Sequence, residues 1–168
     1  NEWPWGLMEF IRLAKIKNLP LVCTLQNSYS LINRIVELGM TEIFFREKLS
    51  FFSYSPLGFG HLSGKYLKDP RAAGRINLFP GYAQRYNKSG VEKAIEKYDA
   101  LAAKRNLSLT DLALSFVYSQ WFVTSTVIGA TNIKQLKQNI AAYGLDIVDE
   151  ELIQEIDAIH LDVMNPAP

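Results

Sequence analysis

A chain of 168 residues, 48% hydrophobic and 21% charged, has the length of one domain and the composition of an ordinary globular protein. Its net charge of +1 argues against a nucleic-acid or anionic-membrane surface, and its single cysteine rules out an internal disulfide or a cysteine-built zinc site. No apolar run is long enough to span a membrane, no signal peptide is visible, and the scarcity of cysteine suits a cytoplasmic setting. The chain starts at Asn1 rather than methionine and reads as a processed or truncated product.

In "WPWGLMEFIRLAKIKNLP", Pro4 suits a first helical turn, Leu7, Phe10, Ile11 and Ala14 recur at helical spacing, and Asn18 and Pro20 stop the helix. "LVCTLQN", residues 21–27, reads as a buried strand, with Cys23 a buried, inert thiol. "SLINRIVELGMTEIFFREK" reads as one helix with Gly39 as its weak point. "LSFFSYSP" is a second buried strand, stopped by Pro56. From Gly58 to about Gly90 runs a polar stretch rich in Gly, Arg, Asn and Pro, of a length that is functional or disordered in most domains. Ser89 is placed to cap the helix "GVEKAIEKYDALAAKRN", and Ser108 or Thr110 the helix "SLTDLALSFVYSQ". Trp121 and Phe122 of "QWFV" read as core. "TSTVIGA" is a third strand, followed by a helix over 132–142 with the capping-box pair Asn132 and Gln135. "DEELIQEIDAIH" is a last helix, acidic where the helix dipole favours it, and the tail "NPAP" is non-helical. Strands that alternate with helices and read as buried on both faces are the mark of parallel βα units, hence an α/β fold.

Two stretches carry possible chemistry. In "VIGATNIKQLKQN", small residues follow a strand and a helix opens at Thr131 or Asn132. A helix N-terminus offers N–H groups and partial positive charge to a phosphate, with Gln135, Gln138 and Asn139 on or near one face. The same pattern also fits an ordinary turn and a capped helix. In "YSPLGFGHLSGKY", Gly58, Gly60 and Gly64 permit unusual dihedrals or close approach, and Lys65, Arg71 and Arg75 suit an anion. A surface loop with solvated charges reads equally well. Gln26 and Asn27 close an apolar strand on the side of both loops, and Tyr54 can stack on a flat ring or simply pack. His61 reads as a loop histidine and His160 as structural; neither belongs to a metal or triad pattern.

In order along the chain, "QNSYSLINR", "YSPLGFGHLSGKY", "GRINLFP" and "VIGATNIKQLKQNI" resemble the C-terminal half of the aldo-keto reductases. The branch resembled is the bacterial Tas-like one, related also to potassium-channel β subunits, and "NEWPWG" and "NPAP" extend the resemblance over the whole chain. The resemblance implies a (β/α)8 barrel that holds NADP(H) extended across its C-terminal face. Gln26 then matches the residue that touches the nicotinamide carboxamide, and Asn1 the second member of a Ser-Asn or Ser-Arg pair whose serine is absent here. Tyr54 matches the ring stacked on the nicotinamide. Ser55, Leu57, Gly58 and Gly60 match the loop along the pyrophosphate, with Lys65 and Arg75 closing over it. Gly129, Thr131, Gln135, Gln138 and Asn139 match the pocket for the adenosine and its 2′-phosphate, although position 138 is often glutamate in the family.

The family's catalytic Asp, Tyr, Lys and His all lie in its N-terminal half, so the resemblance places no catalytic residue and no metal ligand in this chain. Its three strands would be the sixth, seventh and eighth of a barrel that takes about 250 residues. The expectation is therefore that residues 1–168 form one partial barrel, carrying the cofactor-phosphate side of an NADP-dependent carbonyl reductase and inactive alone. The other reading is a noncatalytic half-barrel that serves as a binding or interaction module. Three strands with bare edges call for self-association or an N-terminal half-barrel partner. The expected ligands are NADP and, in the intact enzyme, a small carbonyl compound, with neither nucleic acid nor membrane as partner.

Overall fold

Pro4 occupies the first position of helix α1 (Pro4–Lys17), where its missing N–H costs nothing, and Asn18 closes the helix in the left-handed conformation at φ +52°. The computed structural model describes residues 1–79, 81 and 84–168, so Pro80 of "GRINLFP" lies outside the described residues, as do Tyr82 and Ala83. The further helices are α2 (Met40–Glu47), α3 (Lys65–Lys68), α4 (Arg75–Leu78), α5 (Ser89–Lys104), α6 (Leu109–Tyr118), α7 (Ile133–Ala141) and α8 (Glu150–Asp162). Strands β1 (Thr24–Ser28), β2 (Ser50–Tyr54) and β3 (Ser125–Val127) form one parallel sheet in the order β1-β2-β3. Register pairs Leu25 with Phe51, Gln26 with Phe52 and Ser53 with Thr126. The parallel βα pattern expected from the sequence is thus present among the described residues.

Several expectations are corrected. The stretch 30–48 is not one helix. It is a 3-10 turn (Ile35–Glu37), then Gly39 at φ +102°, then α2. The 58–90 stretch is not featureless: it holds a 3-10 turn over Gly58–Ser63, the one-turn helices α3 and α4, and a further turn at Gln84–Tyr86. Lys88, not Ser89, precedes the first residue of α5. Ser108, Asn132 and Asp149 do cap their helices, accepting from the N–H of Asp111, Gln135 and Leu152 respectively.

The strands are not buried on both faces. Leu25, Phe51 and Ser53 lie under the helices, whereas Thr24, Gln26, Ser125 and Val127 are exposed. Alternation along each strand separates one covered face from one open face. Cys23 is exposed rather than buried, although its carbonyl accepts from the Ser50 N–H of β2 at 3.1 Å. Trp121 is exposed on the surface, and only its neighbour Phe122 enters the core.

On the covered face Phe51 stacks on Phe44 of α2, with ring centroids 5.0 Å apart. Tyr29 packs on Phe116 of α6 at 5.9 Å and edge-on against Phe122 at 5.2 Å. The fully buried rings of Tyr29, Phe51 and Phe116 each stabilise the fold by roughly 1.5–3 kcal/mol. Helix α5 packs on α6 and α8 outside this layer. Arg34 fastens the loop after β1 to α8, with ion pairs to Glu37 at 2.8 Å and Asp157 at 2.7 Å. The Tyr29 hydroxyl donates to Glu37, and burial together with that carboxylate raises its pKa far above the usual tyrosine range.

Candidate cofactor site

All three strands run in one direction, so the segments that follow β1, β2 and β3 leave from the same edge of the sheet. Most of the residues singled out from the sequence lie on those strand ends and the segments that follow them. Gln26 is exposed on the open face, which alternation also assigns to Tyr54, two residues beyond Phe52 of the Gln26–Phe52 pair. The N-terminal segment is tied to β1: the Glu2 N–H donates to Asn27 Oδ1 at 3.1 Å, and Asn27 Nδ2 donates to the Glu2 carbonyl at 3.0 Å. Asn1 is therefore held beside the C-terminal end of β1.

After β2 the chain turns sharply. Ser55 has φ +54°, Gly58 +51°, Phe59 +57° and Gly60 +95°. Gly58 has a steric reason to be glycine: a Cβ there would sit 2.8 Å from Ile32 Cδ1. The amides of Gly58 and Gly60 donate to the carbonyls of Ser55 and Leu57, both at 2.9 Å, and the Ser63 hydroxyl closes the turn on the Gly60 carbonyl. The loop is thus preformed by its own hydrogen bonds.

Its cations rest on carbonyls and rings. Lys65 Nζ donates to the Ala73 carbonyl at 3.1 Å and lies 4.7 Å above the Tyr66 ring. The Arg75 guanidinium lies 5.3 Å from the Phe59 ring centre, and that of Arg85 5.2 Å from Tyr86. Among the described residues none of these three cations pairs with a carboxylate.

Sequence reading missed the aromatic ladder inside this loop. His61 stacks on Tyr86 at 5.5 Å and leans on Tyr66 at 5.0 Å. Among the described residues, His61 Nε2 and the Tyr66 hydroxyl are buried without a hydrogen-bond partner. Burial, then the Lys65 charge, holds the His61 pKa below its ordinary value, and burial raises that of Tyr86. The interleaving of aromatic and basic letters between 54 and 86 was the available signal, but it follows no period that points to stacking.

After β3, Gly129 and Thr131 are exposed, and nothing lies within 4 Å of where a side chain would begin at Gly129. Gln135 Oε1 accepts from both the backbone N–H and the hydroxyl of Thr131, at 2.9 Å each. Gln138 reaches across to Ser108 and Asp111 on α6. Asn139 is buried and donates to the Gly129 carbonyl at 3.3 Å, bracing the turn from beneath. The structure therefore brings Gly129, Thr131, Gln135 and Asn139 together and turns Gln138 toward α6.

Beside β3, the terminal strand of the sheet, lies a cleft of about 330 Å³, lined by Tyr118, Ser125, Thr126, Asn139, Ile140 and Tyr143 among others.

The chain is 40% identical to Protein tas of Escherichia coli over 168 residues, which is all of this chain and 48% of that protein. It is 36% identical to an aldo-keto reductase of Babesia bovis, covering 99% of this chain and 61% of that one. A probable voltage-gated potassium channel subunit beta of rice is 26% identical over 92% of this chain and 51% of its own length. The chain thus spans about half the length of the curated relatives it matches. Residues 2–160 match the aldo/keto reductase family, and the chain belongs to that family.

Proposed function

We propose that this chain forms the cofactor-phosphate side of an NADP-dependent carbonyl reductase, with β1, β2 and β3 as the sixth to eighth strands of a (β/α)8 barrel. The observation that carries the reading is the loop after β2, where Lys65 and Arg75 have no carboxylate partner among the described residues. The chemistry of that donor set fits an anionic group such as a pyrophosphate. In the same loop, among the described residues, His61 Nε2 and the Tyr66 hydroxyl are buried with hydrogen-bonding capacity unused.

In this reading Ser55, Leu57, Gly58 and Gly60 line the pyrophosphate, and Lys65 and Arg75 exchange a carbonyl and a ring for phosphate oxygens. Gln26 and Asn1 hold the nicotinamide carboxamide, and Tyr54 supports the ring. Gly129, Thr131 and Gln135 line the pocket for the adenosine and its 2′-phosphate, Asn139 braces that pocket from beneath, and Gln138 joins it only by leaving Ser108 and Asp111. The reduced cofactor would supply the hydride to a small carbonyl compound, while these residues bind and orient it.

The catalytic acid has no candidate here, so turnover requires the other half of a barrel. The bare edges of β1 and β3, the open sheet face and the cleft beside β3 support that need. Those same surfaces favour the second reading, a noncatalytic half-barrel that works by association.

The test is calorimetric titration of the full polypeptide carrying residues 1–168 with NADPH and NADH. Tighter NADPH binding is expected, together with NADPH-dependent reduction of an aldehyde panel. NADH binding as tight as NADPH removes the 2′-phosphate assignment. Dinucleotide binding without reduction favours the association module.

A further inference from the structure

The C-terminal tail is non-helical, as its prolines require, yet it is locked in place. Asn165 adopts φ +45°, a region that asparagine enters more readily than most residues, and its Oδ1 accepts from the Arg34 N–H at 2.6 Å. Two residues later, fully buried Ala167 donates its N–H to the Ile32 carbonyl at 3.1 Å. Between them Pro166 lies 3.5 Å from where a side chain would begin at Gly90. The tail is thus a strap across residues 32–34, in the loop after β1.

That loop packs beside the glycine loop, leaving no room for a side chain at Gly58. Ile32 is fully buried, and its Cδ1 lies 2.8 Å from where a Cβ on Gly58 would sit. Gly58 opens the 58–63 turn, whose amides are satisfied by Ser55 and Leu57. A path of contacts therefore runs from the strap, held by Asn165 on the Arg34 N–H and by Ala167 on the Ile32 carbonyl, through the Ile32 side chain to Gly58. Close-packed interiors transmit such displacements because they hold few voids to absorb them.

We propose that Asn165 is a positioning residue for cofactor binding: the strap it anchors sets the position of the glycine loop through Ile32. This rests on the pyrophosphate reading of that loop. A strap that merely covers core would stabilise the fold without favouring one loop over another.

Two variants separate these roles. Asn165→Gly removes the acceptor and still permits the left-handed backbone; Asn165→Asp keeps an acceptor oxygen. In the full polypeptide carrying residues 1–168, hydrogen exchange at the Gly58, Gly60 and Leu62 amides should quicken about fivefold to tenfold in Asn165→Gly, the loss expected of one hydrogen bond. It should stay near the parent rate in Asn165→Asp, with α6 amides unchanged in both. NADPH affinity should fall by a similar factor in Asn165→Gly, while that for adenosine 2′-monophosphate, which lacks the pyrophosphate, should not. Unchanged loop amides, amides that quicken everywhere together, or equal loss of both ligands would overturn the proposal. A parent protein that binds neither ligand removes the cofactor reading instead, and the exchange rates then decide the positioning role by themselves.

Discussion

At Gly58 a side chain would begin 2.8 Å from Ile32 Cδ1 on a backbone at φ +51°, whereas at Gly129 nothing lies within 4 Å. The two glycines invite the same interpretation as letters and differ entirely in what surrounds them. Gly58→Ala should destabilise by about 2–4 kcal/mol, combining left-handed strain with overpacking, and Gly129→Ala should stay within about 0.5 kcal/mol. Urea unfolding measures both, and equal midpoints would contradict the assignment. Lys65→Ala and Arg75→Ala should each weaken NADPH binding by about 1.5–3 kcal/mol, the range for hydrogen bonds to charged groups. Unchanged affinity in both variants would return these side chains to the surface. Burial holds His61 and His160 below the ordinary histidine pKa, aided by Lys65 and Arg34 respectively. Below about pH 6.5 the unfolded chain then takes up protons that the folded chain resists, so stability falls as pH falls. The unfolding midpoint should be lower at about pH 5.5 than at about pH 7.5; a flat or reversed profile counts against this burial.

Helix ends were the most readable elements, because caps are local chemistry. Pro4, Ser108 and Asn132 each stand where a first turn needs them. Asn132→Ala should cost about 1 kcal/mol and loosen the Thr131–Gln135 contacts, seen as faster exchange at the Gln135 amide. Exchange unchanged there would mean the cap is not the anchor of α7. Interruptions were less readable. Residues 30–48 keep a helical rhythm of apolar letters, but Gly39 at φ +102° divides them into two elements. Strand faces were misread for a different reason. An apolar run states that a strand can be covered on both sides, not that a covering layer is present. Within the site, the glycines, Lys65 and Arg75 were visible as composition. The stacking of His61 between Tyr66 and Tyr86 was not, since it depends on how the turn folds back.

At the scale of the molecule, among the described residues, helices cover one side of a three-stranded sheet and leave the other open, with β1 and β3 both at edges. Residues 1–168 alone should therefore self-associate and show no NADPH-dependent aldehyde reduction. Light scattering and an NADPH oxidation assay check this; a monodisperse monomer with a sharp unfolding transition, or real turnover, would contradict it. Among the described residues no helix is long and apolar enough to cross a membrane. The two edges are also distinguishable by symmetry. A twofold axis that joins β3 to its own copy must lay the strands antiparallel, producing an isologous contact that stops at two chains. Joining β3 of one copy to β1 of the next keeps every strand parallel, and that head-to-tail contact either closes into a ring or runs on into a filament. The sense of one added strand on β3, then, separates a contact that closes on itself from one that propagates.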